Sequence, residues 1–238
     1  MRTIWTVASV AILFMTAATF AADNTPPEGF TALFNGKDLS NFKADENQKK
    51  FWTVKAGVLD LAKNDLKPRK DLTLWSEQEF GDLTIMIDWR WSGQPYKIKH
   101  PIILPNGEYK KDENGKVIEV EIDEAGDSGV YLRGNSKSQV NFWCWNTGSG
   151  EVYGYRTDAK MPPEVKAGVT PKKNMDKPYG QWNHMEITIK GDRLTVKENG
   201  EEVITNAQLP GVPARGAIAI QDHGNPCQFK NIYIKELK

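Results

Sequence analysis

The sequence contains little of what marks several common classes of protein. Among 238 residues it has two cysteines and three histidines, and its 31 acidic and 31 basic side chains balance. A nucleic-acid-binding domain carries a basic excess on one face, so the balanced charge argues against a nucleic-acid partner. Strong helical periodicity is also absent, and short runs of alternating apolar and polar residues take its place.

The first residues contain the one long apolar run, MRTIWTVASVAILFMTAATFAADN. A single basic residue, Arg2, precedes it and small residues surround Ala21, which is the pattern of a cleaved signal peptide. An uncleaved membrane anchor is the alternative, although threonines and serines dilute the run. No cysteine follows it, which argues against a lipid-anchored lipoprotein. We therefore predict a signal peptide over 1–21, one domain over 22–238, secreted or periplasmic localisation, and no lasting membrane anchor.

The two cysteines, Cys144 and Cys227, leave two interpretations open. In an exported protein they could form a disulfide. However, Cys144 alternates in phase with Val140 and Phe142, which is also the pattern of a small core residue.

Alternating runs separated by Gly, Pro, Asn and Asp predict many short strands. Asn199-Gly200 lies between two of these runs and predicts a hairpin turn, since both residues tolerate a positive φ. Many strands without a long helix indicate an all-β fold, an antiparallel β-sandwich of the jelly-roll kind. The predicted strands are 51–54, 58–61, 83–91, 129–133, 139–145, 152–155, 183–190, 193–198, 217–221 and 228–235.

Two segments interrupt the succession of short alternating runs. Residues 95–120 contain two Asn-Gly pairs and are predicted to form an inserted, exposed hairpin. Residues 156–181 contain four prolines among charged residues and are predicted to form a long ordered loop. Loops of this length in a compact domain are usually functional or disordered.

Alternation also divides each predicted strand into two faces. The polar faces of these strands carry acids, arginines, amides and large aromatic residues. This combination suits a sugar, because the C–H faces of a sugar are apolar and its hydroxyls need hydrogen-bond partners. We therefore predict one sheet face that binds carbohydrate; the alternative is a second small core beneath the loops. The residues in phase are Asp88, Arg90, Gly129, Tyr131, Arg133, Gln139, Asn141, Trp143, Trp145, Glu151, Tyr153, Tyr155, Gln221 and His223.

The pattern Glu121-Ile122-Asp123 resembles the start of a glycosidase carboxylate row. A retaining glycosidase needs two carboxyl groups about 5–5.5 Å apart, which a Glu-x-Asp-x-Glu strand provides. Here the next in-phase residue is Ala125, and the bulged alternative is Gly126. The third acid is missing, so we interpret the segment as a charged edge that leads into the following strand.

Several short motifs occur in an order that resembles a known family. They are GFTALFNGKDL (29–39), DSGVYLRG (127–134), GQWN (180–183), GDRLTV (191–196), and QDHG (221–224) followed by FKNI (229–232). Together they resemble the 3-keto-disaccharide hydrolase domain family over residues 28–238. The resemblance implies a concanavalin-A-like jelly roll, exported by bacteria, that acts on oxidised glycosides.

The chemistry that the resemblance implies needs a general base and a donor cluster rather than two flanking carboxylates. A carbonyl at C3 acidifies the C2 proton, so its removal gives an enolate from which the C1 substituent leaves and to which water then adds. The candidate catalytic residues are His223, Glu151 and Asp88. The candidate binding residues are Arg90, Tyr131, Arg133, Gln139, Asn141, Trp143, Tyr153 and Gln221.

Among the histidines, the phase of His223 beside Gln221 favours it over His100 and His184. No cofactor is required by these residues, while a divalent metal stays possible because acids and an imidazole share the face. The expected partner is a small carbohydrate. A non-catalytic, lectin-like carbohydrate-binding module is the alternative function, and the identity of the sugar, the base and the oligomeric state are left open.

Overall fold

The structure is a computed structural model that describes residues 23–238, so the predicted signal peptide lies outside the described residues. Fifteen strands and three short helices form within them. The strands are β1 (Thr31–Ala32), β2 (Phe42–Lys43), β3 (Trp52–Lys55), β4 (Val58–Leu61), β5 (Leu74–Phe80), β6 (Leu83–Trp91), β7 (Tyr96–Pro101), β8 (Glu119–Glu124), β9 (Ser128–Leu132), β10 (Asn135–Phe142), β11 (Asn183–Lys190), β12 (Arg193–Glu198), β13 (Glu201–Gln208), β14 (Gly216–Ile220) and β15 (Cys227–Glu236). The helices are α1 (Gln48–Phe51), α2 (Tyr153–Arg156) and α3 (Pro163–Gly168).

Two antiparallel sheets pack face to face, which confirms the predicted jelly-roll sandwich. The larger sheet has the order β13-β12-β11-β6-β15-β4-β3, with β1 paired to β15. The smaller sheet has the order β10-β9-β14-β5-β2. No helix in residues 23–238 has the length and apolar composition needed to cross a membrane.

The alternation of apolar and polar residues along the strands directs the apolar side chains into the core between the sheets, as predicted. In β6 the residues Ile85, Ile87 and Trp89 point inward and are buried. The Trp89 ring stacks on Phe142 of the smaller sheet, with ring centroids 4.8 Å apart. Burial of each large apolar side chain contributes about 1.5–3 kcal/mol, so such contacts between the sheets hold the sandwich closed.

Both predicted hairpins are confirmed. Strands β12 and β13 pair on either side of Asn199-Gly200, whose φ angles are 51° and 88°. Strands β7 and β8 form a separate two-stranded sheet. Glu121 and Asp123 are exposed on β8 and lie 3.9 Å and 2.9 Å from the Lys97 ammonium. The Glu-x-Asp pattern is therefore a charged edge.

The predicted strand over 152–155 is wrong, because residues Tyr153–Arg156 form the short helix α2. The backbone N–H groups of Tyr155 and Arg156 both donate to the carbonyl of Val152. A short apolar run does not distinguish a strand from a helical turn. The strand predicted over 139–145 ends at Phe142, beyond which the Trp143 N–H donates to Ser149 Oγ at 3.2 Å.

The two cysteines are free thiols. Cys227 is fully buried on β15, and Cys144 is half-buried just beyond the end of β10. Burial raises the pKa of Cys144 to about 12. The structure thus matches the core-residue interpretation and not the disulfide.

Candidate active site

Four segments meet at one end of the smaller sheet. Because its strands are antiparallel, the starts of β9 and β5 lie at the same end as the termini of β10 and β14. The connecting segments 64–73, 124–127, 143–153 and 221–225 extend beyond this end. Their side chains, with those on the outer face of the sheet, form the candidate site.

Asp127 lies at the centre of this end, directly before β9. Burial and the negative charge of Glu124 raise the pKa of its carboxyl to about 7, against the opposing effects of the nearby Asn141 amide and of Arg69. Its Oδ1 atom is buried and has no hydrogen-bond partner among residues 23–238. A carboxyl that titrates near neutrality is able to exchange a proton at the pH of most cellular compartments.

His223 lies beside Asp127, with its Nδ1 atom 3.5 Å from Asp127 Oδ2. Burial lowers the pKa of His223, as does the positive charge of Arg69, while Asp222 opposes them. The imidazole is therefore neutral at pH 7 and can accept a proton. The Arg69 guanidinium is held in place by its donation to the Asp222 carbonyl at 2.8 Å.

An amide pair forms the next part of the surface. Gln139 Nε2 donates to Gln221 Oε1 at 2.5 Å and to the Ser128 carbonyl at 3.1 Å. Burial raises the pKa of the Tyr131 hydroxyl, and a hydrogen bond with Gln221 opposes this shift. The ring of Tyr131 packs against Trp75 with centroids 5.6 Å apart. These residues place two linked amides beside a pair of aromatic rings.

Gly129 keeps the surface open between these groups. It is the cross-strand partner of Asn141, and its carbonyl accepts the Gln221 backbone N–H at 2.9 Å. A Cβ at this position would lie 2.5 Å from the Val140 carbonyl and 2.7 Å from Gln139 Nε2. Any side chain here would displace the Gln139 amide, so the arrangement requires glycine.

Aromatic rings border the β10 side of the site. Trp143 stacks on Trp145 at 3.6 Å between centroids, His100 stacks on the same Trp145 at 4.0 Å, and Tyr153 meets Trp143 edge-on at 6.0 Å. Trp143 is only 1% exposed, whereas Tyr153 is exposed. Trp145 and Tyr153 therefore offer the accessible surface, and Trp143 supports them from beneath.

The structure does not bring Asp88 and Arg90 to this site. They lie on the outer face of the larger sheet, on the far side of the sandwich. Asp88 accepts hydrogen bonds from His184 Nδ1 and Asn231 Nδ2, both at 2.6 Å, and Arg90 packs over Trp182. The prediction of one shared face is wrong here, because alternation gives the phase within a strand but not the sheet that the strand joins.

Glu151 is fully buried rather than presented on the surface. Burial raises the pKa of its carboxyl to about 7, and its ion pair with Arg156 opposes this. The Arg156 guanidinium packs 5.4 Å from the Tyr153 ring centroid and 5.0 Å from that of Tyr109. The pair therefore anchors α2 below the aromatic border.

Arg133 is also buried, and it binds the protein itself. Its guanidinium donates to the carbonyls of Gly81, Gly191 and Pro213 and to Asp82 Oδ1, at 2.7–3.0 Å. Its φ of 53° interrupts the extended backbone, so the phase counted from Tyr131 no longer applies. The predicted common face therefore ends before Arg133.

Of the predicted residues, His223, Tyr131, Gln139, Asn141, Trp143, Tyr153 and Gln221 do meet at this end of the smaller sheet. Asp127, Arg69, Glu124 and Trp75 join them and were not predicted, and Trp145 joins them from the predicted face although it was not named as a binding residue. Asp127 opens the DSGVYLRG motif, which was the one signal in the sequence that pointed to it. No group of three or more His, Cys, Asp or Glu side chains within 23–238 is arranged to hold a metal ion.

Comparison with known proteins identifies the family. The sequence profile of the 3-keto-alpha-glucoside-1,2-lyase-like domain matches residues 29–235. The chain belongs to this family. Its membership confirms the resemblance seen in the motifs and supports a carbohydrate-active role for the chain.

Solved structures share the fold. Two crystal structures of a “putative glycosyl hydrolase” from Parabacteroides distasonis are similar to this chain. One has 19% identity and a TM-score of 0.59, and covers 91% of this chain and 100% of its own. The other has 20% identity and a TM-score of 0.58, and covers 95% of each chain. At this identity the likeness concerns the fold alone. No curated protein matches the sequence.

Proposed function

We propose that the chain is an exported enzyme that cleaves 3-keto-glycosides by removing the C2 proton, eliminating the C1 substituent and adding water. The observation that carries the proposal is the grouping of His223, Asp127 and Arg69 at one end of the smaller sheet. A neutral imidazole, a carboxyl that titrates near pH 7 and a guanidinium are the groups that enolate chemistry requires. The family membership of residues 29–235 supports the same class of substrate.

In the first step His223 takes the C2 proton. Its Nδ1 atom faces Asp127, so the tautomer with the proton on Nδ1 leaves the Nε2 lone pair available to the substrate. When Nε2 is protonated, the negative charge of Asp127 stabilises the imidazolium. The 3.5 Å separation of Nδ1 and Oδ2 is long for a hydrogen bond and is expected to shorten when substrate excludes water.

The electron pair of the broken C2–H bond moves onto the C3 oxygen as an enolate. The positive charge of Arg69 acts on both Asp127 and His223, and in this proposal its guanidinium stabilises that negative charge. The enolate then re-forms the C3 carbonyl, a C1–C2 double bond is made, and the C1–O bond breaks. The leaving oxygen takes up a proton, and water adds to C1 while a proton returns to C2. The net change is hydrolysis, and it uses only protein groups and water.

The sugar ring is held by the remaining side chains of the site. The Trp75 and Tyr131 rings offer apolar faces, and the linked Gln139 and Gln221 amides offer donors and acceptors to hydroxyls. Trp145 and Tyr153 border the site on its other side and are placed to contact the leaving group.

A panel assay tests this proposal against a binding module. Purified protein is incubated with glucosides and with the matching 3-keto-glucosides, and release of the aglycone is followed. We expect release from 3-keto members alone, since only they have an acidified C2 proton. Saturable binding of ordinary glycans without release from any member would instead support the lectin-like alternative and overturn the enzyme proposal.

The pH dependence of turnover should reveal the Asp127–His223 pair. Burial raises the Asp127 pKa to about 7 and lowers that of His223. The pair works with Asp127 ionised and His223 neutral, so kcat/KM should be full above pH 7 and fall as the pH decreases through it. In Asp127→Asn we expect lower activity. The fall of kcat/KM at low pH (the acid limb) should then follow His223 alone and move below about pH 6.5, the ordinary pKa of histidine. An unchanged acid limb in this variant would exclude Asp127 from the titration.

Substitution of the aromatic platform should affect binding more than chemistry. Trp75→Ala removes the ring that packs against Tyr131. We expect KM to rise about tenfold, equivalent to roughly 1.4 kcal/mol of lost contact, with kcat changed less than threefold. Trp75→Phe, which retains a ring, should give an intermediate KM. A large fall in kcat with unchanged KM would contradict a binding role for this platform.

A further inference from the structure

A second concave feature opens between the two sheets at the same end of the sandwich. It is a pocket of about 340 Å³, within the range of about 300–1,000 Å³ typical of small-molecule sites. Its walls combine indole, proline and tyrosine surfaces with a small number of polar groups. Among its lining residues are Trp89, Trp91, Cys144, Asp176, Tyr179 and Gln181.

The segment 124–127 separates this end pocket from the site proposed for catalysis. Ala125 lines the pocket, whereas Asp127, Asn141 and His223 do not. Between them, Gly126 packs so closely on Trp91 that a Cβ would lie 2.6 Å from the indole. The end pocket and the site proposed for catalysis are therefore distinct.

A buried acid pair lies at the end pocket. Asp176 lines it and accepts the Ser149 backbone N–H at 3.1 Å. Glu198 on β12 lies beside Asp176 and is fully buried. Burial raises the pKa of Glu198 well above its usual range, and the adjacent Asp176 charge raises it further. Burial therefore favours the protonated form of both carboxyl groups.

Several polar atoms at this end of the core lack partners among residues 23–238. They include both Glu198 carboxyl oxygens and the Trp89 indole N–H. Trp89 itself forms part of the pocket wall. These atoms are closed off beneath the pocket wall, so the polar contacts of an occupant would come from the lining residues Asp176 and Gln181.

A strap over residues 174–181 keeps the pocket formed. The Tyr179 hydroxyl donates to the Gly93 carbonyl across the opening, and the Lys177 N–H donates to Asn183 Oδ1 at 2.8 Å. These tethers join the strap to the end of β6 on one side and to β11 on the other. The pocket is thus held open by hydrogen bonds rather than filled by side chains.

We propose that the end pocket is a second ligand site, which takes a neutral, hydroxyl-rich ring of the size of one sugar. The indole edges of Trp89 and Trp91 contact its apolar surface, and Asp176 with Gln181 binds its hydroxyls. The Asp123 and Asp176 carboxyls line the pocket beside one lysine, Lys177, and together they disfavour an anionic ligand. This proposal is independent of the proposed activity, because Asp127, Arg69 and His223 do not line the end pocket.

Cys144 gives a direct test, because it lines the pocket and is half-buried while Cys227 is fully buried. The probe is methyl β-D-glucopyranoside at up to about 100 mM, well above a millimolar Kd. Alkylation of Cys144 by iodoacetamide is followed by mass spectrometry over hours, since its raised pKa makes it slow. We expect the probe to slow alkylation saturably, by about tenfold, and D-glucuronate to have little effect.

Variants of the lining residues test whether protection of Cys144 comes from a ligand bound in the end pocket. Asp176→Asn keeps a hydrogen-bonding group of the same size at the pocket wall and should retain protection, whereas Asp176→Ala should lose it. Gln181→Ala, on the exposed strap, provides a second variant that should weaken protection without loss of folding. His223→Ala should keep full protection, which separates this site from the catalytic proposal. The proposal would be overturned if the probe did not change the alkylation rate, or if glucuronate slowed alkylation as much as the probe does. It would also be overturned if the probe slowed alkylation in both Asp176→Ala and Gln181→Ala as much as in the unaltered protein.

Discussion

His223→Ala should lower kcat/KM for a 3-keto-glucoside by about 10²–10⁴-fold, the usual contribution of a general base. The imidazole is half-exposed and makes no side-chain hydrogen bond within 23–238 that the fold depends on. Its removal should therefore leave the fold and KM little changed and act on kcat. Steady-state kinetics and circular dichroism of both proteins measure the two effects separately.

His184→Ala provides the matched control. His184 is also paired with a carboxylate, Asp88, but on the outer face of the larger sheet. We expect its turnover to match that of the unaltered protein. Equal turnover in His223→Ala, or an equal loss in His184→Ala, would remove His223 from the role of base.

Arg133→Ala should destabilise the fold by about 3–5 kcal/mol, the cost of breaking a buried charged network. Three backbone carbonyls and Asp82 would lose their donor at once, and these groups come from three separate segments of the chain. For a domain of this size the midpoint of thermal unfolding should fall by roughly 10 °C. Urea unfolding followed by tryptophan fluorescence measures the free energy directly.

Arg133→Lys is the companion to this change. Lysine keeps the charge but cannot reach four acceptors with one ammonium, so its stability should lie between those of the other two proteins. At temperatures where each protein is folded, KM should be the same in all three. A raised KM without loss of stability would return Arg133 to the sugar-binding surface.

The sequence predicts most of the fold because alternation and turn residues are local signals. The strands around Ile85 and Val130 and the Asn199-Gly200 turn are formed as expected. The family motifs also contain Tyr131, Gln221 and His223, which meet Gln139 at the end of the smaller sheet where the candidate site lies. Each of these has its phase set by a regular strand that ends nearby.

The positions of the other candidate residues depend on contacts between segments distant in the sequence, and a local pattern does not report such contacts. Asp88 has the predicted phase, but its strand joins the other sheet. Arg133 follows a backbone reversal, and Glu151 is paired within a helical turn that was predicted as a strand. Asp127 sits in a turn, and its raised pKa arises from burial by segments distant in the sequence.

Exchange at C2 tests the central claim most directly. A 3-keto-glucoside is cleaved in deuterium oxide, and the released 3-keto-glucose is analysed at once by nuclear magnetic resonance. Parallel samples without enzyme and with His223→Ala correct for spontaneous enolisation. The proposed elimination and hydration predict one solvent deuterium at C2 in each product molecule. Cleavage that retains the original hydrogen at C2 would show direct displacement at C1 and contradict the mechanism.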